Sequence, residues 1–109
     1  MTEERSVNQI ADLRLELGRY GGERRFLVQN TSEVSAFSVR FAVEPEEGKN
    51  SPIIAGEHEK IFPITELLPG EHQTLTAVIT TGTGIHFRGR VTWRNPDGSP
   101  GHKEVDLSA

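Results

Sequence analysis

Apolar residues recur at every second position through most of this chain, the period of a β-strand with one buried face. Ala11, Leu13, Leu15 and Leu17 alternate with Asp12, Arg14 and Glu16. The stretch contains good helix formers, but leucines at every second position would spread around a helix instead of lining one side of it. A first strand is therefore predicted. Arg24 to Asn30 predicts a second, with Phe26 and Val28 inward, and Ala36 to Val43 a third. In the third, Phe37, Val39, Phe41 and Val43 alternate with Ser38, Arg40 and Ala42. Glu71 to Thr80 places Leu75, Ala77 and Ile79 on one side and Thr74, Thr76, Val78 and Thr80 on the other. The cleanest alternation is His86 to Arg94, with Phe87, Gly89, Val91 and Trp93 facing one way. His86, Arg88, Arg90, Thr92 and Arg94 face the other way. Val105 and Leu107 resume the apolar face in a last strand, Lys103 to Leu107. Trp93, the one tryptophan, is the natural anchor of a small core.

Turn-forming residues separate these segments. Gly18 to Gly22, Asn30 to Glu33, Thr81 to Gly84 and Asn95 to Gly101 each read as a turn. Pro69-Gly70 predicts a type II turn, because proline fixes φ at the first central position and glycine supplies positive φ at the second. Glu44 to Glu59 is broken by Pro45, Gly48, Pro52 and Gly56 and is rich in glutamate. Its apolar island, Ile53-Ile54, predicts a short edge strand, where prolines and charges are tolerated. Lys60 to Leu68 predicts a short strand and a turn-like approach to Pro69. The count is seven to eight short antiparallel strands, spaced as in a sandwich or barrel. Across the last hairpin, pairing Val91 with Val105 would set Arg90 opposite Asp106 and Thr92 opposite Glu104, a register that suits both faces.

Composition narrows the class. The 109 residues make one domain, residues 11 to 109, behind a flexible leader of residues 1 to 10. The formal charge of −4 argues against general nucleic-acid binding, although a local basic face is compatible with it. Without cysteine there is no disulfide, thiol catalysis or thiolate metal site. No apolar run reaches the roughly 20 residues of a membrane-spanning helix. If Met1 is the native start, the polar N-terminus predicts a cytoplasmic protein; in an excised domain it predicts nothing.

Candidate chemistry is sparse. The glutamates of residues 44 to 59 lack the D-x-D-x-D-G spacing of a calcium loop and read as a solvated loop. Asn95 to Ser99 resembles a fragment of such a loop but lacks the later liganding glutamate, so a hairpin turn is expected. His58, His72, His86 and His102 form no close pair along the chain, and no metal site or cofactor is expected. Across the last hairpin His86 and His102 are candidates for approach. There is no G-x-S-x-G elbow, and Thr81 to Gly84 lacks the Lys-Ser/Thr of a phosphate loop, so no catalytic residues are assigned. Asn30-Thr31-Ser32 matches a glycosylation sequon, with a side-chain-capped turn as the other reading.

The order F-L-V-Q-N-T-S-E-V-S-A-F-S-V-R-F-A-V, then E-L-L-P-G-E-H-Q-T-L-T-A-V-I, then F-R-G-R-V-T-W-R-N-P-D-G resembles bacterial immunoglobulin-like domains of the cell-adhesion-related type. The first half, in V-Q-N-T-S and P-G-E, is also similar to major sperm protein domains. Both resemblances imply an immunoglobulin-like two-sheet β-sandwich, and neither implies catalytic residues. On that layout the first two strands and Glu71 to Thr80 form one sheet. The third strand, the short edge, His86 to Arg94 and Lys103 to Leu107 form the other. Arg40 then shares an outer face with Arg88, Arg90 and Arg94. Arginine suits carboxylate or phosphate partners and is enriched at interfaces. The plainer reading is a solvated face in which Arg90 pairs with Asp106. The expected function is a non-enzymatic interaction or structural module that binds another protein through this face or an open edge near Ile53-Ile54. A carbohydrate- or small-ligand-binding module is the alternative; it needs exposed aromatics, for which Tyr20 and Phe62 are the candidates.

Overall fold

The structure, a computed structural model, describes residues 10 to 109; the expected leader lies outside the described residues except for Ile10. In chain order the elements are β1 (Leu13–Tyr20), β2 (Glu23–Asn30), β3 (Ala36–Pro45), α1 (Ala55–Ile61), β4 (Ile64–Leu67), β5 (His72–Thr76), β6 (His86–Arg94) and β7 (Pro100–Ser108). The strands form two antiparallel sheets, ordered β1-β2-β5 and β4-β3-β6-β7. Each buries its apolar face against the other, as an all-β sandwich does.

Both hairpins are tighter than the turn residues alone suggest. β1 continues to Tyr20, and only Gly21 and Gly22 make the loop to β2, both at positive φ (63° and 87°). Two consecutive residues of that conformation define the turn that matches strand twist, and glycine adopts it without steric cost. Gly18 therefore lies within the strand. Between β6 and β7 the loop is Asn95 to Ser99, and Pro100 and Gly101 already belong to β7. This sets the register two residues away from the Val91–Val105 expectation. Gly89 opposes Val105, Val91 opposes Lys103, and Trp93 opposes Gly101. The Trp93 ring lies across Gly101 so closely that a Cβ there would run into it. Only glycine fits that position. A slip of two residues keeps every side chain on its face, so alternation alone cannot detect it.

The third strand departs from simple alternation. Ser38 has φ of +51°, and the pairing of β3 with β6 shifts between Phe37 and Arg40. This bulge inserts one residue, so Ala36 and Val39 both face inward while Phe37, expected inward, pairs with Arg94 on the outer face. Ile53-Ile54 is not an open edge of the second sheet. Ile53 bridges Ala77, beyond the end of β5, and Val78 N–H donates to Pro52 O at 2.9 Å. Helix α1 follows directly, and the edge strand beside β3 in the second sheet is instead β4. The strand expected over Glu71 to Thr80 is regular only through Thr76, although Leu75 and Ala77 are buried as predicted.

Helix α1 closes the side of the sandwich between β5 and β3. The Glu57 carboxylate accepts from Thr76 N–H (2.6 Å) and Thr76 Oγ1 (3.0 Å). On the other side His58 Nε2 lies 2.6 Å from the Phe41 carbonyl, which can only accept, so Nε2 carries a proton. Both strand edges are thus satisfied by side chains of one turn of helix. The Phe62 ring that follows is buried against Phe41 (5.7 Å between centroids), and Phe41 and Phe87 in turn pack on Phe26. With Leu13, Val28, Val39, Leu67, Leu75, Val91 and Trp93 these rings make one continuous core. No helix among the described residues is long and apolar enough to cross a membrane.

Two buried asparagines pin one end of the sandwich, where β1 and β3 begin and β2 and β6 end. Asn30, fully buried, donates from Nδ2 to Val34 O (2.8 Å) and Leu67 O (2.9 Å) and accepts Ser32 N–H on Oδ1 (2.9 Å). Its own N–H and C=O pair with Glu71 O and Gly70 N–H. The Leu68–Glu71 turn is thereby fixed to β2, with Gly70 at φ of 81° and Glu71 N–H donating to Leu68 O as a type II turn requires. At the same end, Asn95 Oδ1 accepts from both Ala11 N–H (2.8 Å) and Trp93 Nε1–H (3.0 Å). Its Nδ2 donates to Ser99 Oγ (3.1 Å).

Candidate functional site on the outer face of the four-stranded sheet

Alternation along β3, β6 and β7 sends one set of side chains to the outer face, and the register arranges them in rows. Glu44, Arg88 and Asp106 form one row; Ala42, Arg90 and Glu104 the next; Arg40, Thr92 and His102 the third; Phe37, Arg94 and Pro100 the last. All four arginines singled out from the sequence therefore share this face, and all are exposed. They do not have the same surroundings.

Arg88 and Arg90 are paired. Arg88 Nη2 meets Asp106 at 3.1 Å and Arg88 Nη1 meets Glu104 at 3.5 Å. Arg90 Nε donates to Glu104 at 2.9 Å, not to Asp106 as the other register would have it. Both guanidinium groups are about half exposed, so each pair contributes roughly 0–1 kcal/mol, more a matter of charge pattern than of stability. Arg40 and Arg94 have no carboxylate within ion-pair distance among the described residues. Arg94 Nη1 donates to Gly98 O at 2.9 Å, which turns the exposed guanidinium toward the β6–β7 loop. The face is thus neutralised at its Glu44 end and cationic at its Phe37 end.

An open depression of about 440 Å³ occupies the cationic end, lined by Ser38, Arg40, Thr92, Arg94, Pro100 and His102 over the edge of Trp93. No carboxylate lines it. Glu104, already held by Arg90, borders it at 4.0 Å from His102 Nε2. Ser38 contributes the strained backbone of the bulge, a conformation that costs about 1–3 kcal/mol for a residue with a Cβ. Below the depression the Asn95–Ser99 loop is internally braced. Ser99 donates to Asp97 Oδ1 from Oγ (2.6 Å) and from its backbone N–H (2.9 Å). These two hydrogen bonds, the side-chain one foremost, hold the Asp97 carboxyl below its ordinary range.

The remaining sequence candidates are scattered. His86 opposes Ser108 and His102 opposes Thr92, six residues or roughly 20 Å apart along the strand, so the two histidines do not meet. Phe62 is core and not an exposed platform. Tyr20 is half-buried on the other sheet, its hydroxyl donating to Glu16 at 3.1 Å and its ring folded over Gly18. Phe37, Ser38 and His102 are the site residues that sequence reasoning missed. Only the bulge brings Phe37 to this face, and a bulge leaves no mark in a pattern of alternating residues; alternation already set Ser38 on the side of Arg40. Comparison with protein-family models, with curated proteins and with solved structures finds no match to this chain.

Proposed function

We propose that this chain is a non-enzymatic immunoglobulin-like module that recognises a partner protein through the outer face of its four-stranded sheet. One observation carries the reading: four arginines on one face, two neutralised in place and two held open beside a strained bulge and an outward aromatic ring. The strand order, three strands as 1-2-5 against four as 4-3-6-7, agrees with the immunoglobulin-like layout. An arginine-rich patch with an aromatic neighbour has the composition of an interface hot spot. Arg88 and Arg90 set the charge pattern with Glu104 and Asp106, and Arg40 and Arg94 supply the open donors. The edge at Ile53-Ile54 offers less, because Ile53 and Pro52 already bond the strand end beyond β5. Carbohydrate binding is less favoured too, since the two partly exposed aromatics, Tyr20 and Phe37, lie on different sheets.

Affinity capture from the source organism's lysate tests this. A partner retained by the wild type and by Arg14→Glu, on the other sheet, should be lost by the folded Arg40→Glu/Arg94→Glu variant. Retention by that variant would remove the face from consideration.

A further inference from the structure

The cationic end of the face has a more specific chemistry than its charge. Arg40 and Thr92 are directly opposed, and Arg94 lies two residues along β6, so the two arginines are diagonal neighbours roughly 7–8 Å apart at Cα. His102 completes the row on β7. Both arginines line the same depression as Ser38 and Thr92, and Arg94 would exchange its hydrogen bond to Gly98 O for one to a ligand there. Like charges that close are unfavourable in the free protein. The strained Ser38 adds a second cost at the same place. Two independent costs concentrated beside one depression mark it as a place where something else is bound.

We propose that this depression binds a phosphate monoester carried on a side chain of the partner protein, an inference that rests on the outer face being the partner surface. Guanidinium groups meet phosphate oxygens through paired, charge-assisted hydrogen bonds. Two guanidinium groups, an imidazole and two hydroxyls supply more donors than a single carboxylate can use, and suit the three terminal oxygens of a phosphate. The row below, Phe37 and Pro100 flanking Arg94, offers a small apolar wall for the residue that bears or adjoins the phosphate. A protein source fits better than a lipid one. The apolar wall is a single ring and a proline, and the net charge of −4 opposes approach to an anionic membrane.

The test is an amide NMR titration of the full chain with phenyl phosphate, and with benzoate as the carboxylate counterpart. Sedimentation with vesicles containing phosphatidic acid is run alongside. Phenyl phosphate should give saturable shifts at Ser38, Arg40, Arg94 and His102, and benzoate should bind more weakly. Arg40→Gln and Arg94→Gln should each weaken phenyl phosphate about tenfold or more, the loss of one charge-assisted hydrogen-bonding group. Arg14→Gln should change nothing. Lack of saturation, equal binding of benzoate, or indifference to the two variants would overturn the proposal; so would vesicle binding that depends on Arg40. The two readings fail separately. If the Arg40→Glu/Arg94→Glu variant loses its partner while phenyl phosphate does not bind, the phosphate is wrong and the face stands. If the partner is kept, the face itself is wrong, and with it the phosphate as a partner contact.

Discussion

Replacing Asn95 with alanine should be among the most damaging single changes outside the hydrophobic core. Asn95 is 4% exposed, and its Oδ1 is the acceptor for two buried donors at once, Ala11 N–H at 2.8 Å and Trp93 Nε1–H at 3.0 Å. Alanine removes the acceptor and leaves both donors without a partner. Each buried donor left unsatisfied costs about 1–3 kcal/mol. Partial entry of water into the space left by the amide offsets some of this, and a loss of about 2–4 kcal/mol is expected. That is a large share of the roughly 5–15 kcal/mol that holds a domain of this size together. In melting temperature it corresponds to roughly 10–20 °C. Urea unfolding followed by Trp93 fluorescence and by far-UV circular dichroism gives the value directly. The m-value should be unchanged, because the mutation removes polar contacts and not surface buried on folding. A loss below about 0.5 kcal/mol would refute the claim that this asparagine joins the N-terminal entry, the Trp93 ring and the last hairpin.

Four further substitutions have expected outcomes. Gly101→Ala forces a methyl group into the Trp93 ring and should cost about 1–3 kcal/mol, read as a lowered urea midpoint. Gly89→Ala should cost less, since it meets the movable end of Leu107 at 2.8 Å. Glu57→Ala removes both acceptors of Thr76 and should speed amide exchange at Thr76 well ahead of β6, as local opening does. Asp97 has a depressed pKa in the folded state, so its contribution to stability is present above its ordinary value of 3.8 and is lost as pH falls through the folded value. Asp97→Asn should therefore flatten the acid limb of the stability profile; an unchanged limb would show that the Ser99 hydrogen bonds do not persist in solution.

The strands were legible in the sequence because alternation is enough to place a half-buried strand. Leu13 to Leu17, Phe26 and Val28, and Phe87 to Trp93 all face the core as their spacing requires. The type II turn at Pro69-Gly70 was legible for a similar reason, since its two residues have few other conformations open to them. Helix α1 was not. Its seven residues contain Gly56, its N-cap Ile54 supplies no side-chain hydrogen bond, and isolated helices of that length are unstable. Tertiary contacts made by Glu57 and His58 hold it, and those partners are far away in sequence. The hairpin register was decided by Trp93 lying over Gly101, a contact that face parity cannot distinguish from its neighbour two residues along. In the candidate site, the four arginines were legible as a face. Their division into a paired half and an open half was not, because it depends on that same register and on the bulge at Ser38.

A photocrosslinking residue at Thr92 tests the central claim most directly, since Thr92 sits between Arg40 and His102 in the middle of the open half of the face. The same residue at Arg14, on the outer face of the other sheet, is the comparison. Irradiation in the source organism's lysate should give a discrete protein adduct from Thr92 that disappears when Arg40 and Arg94 are reversed in charge, and none from Arg14. An adduct from Arg14 alone, or the same adducts from both positions, would contradict recognition through the four-stranded sheet.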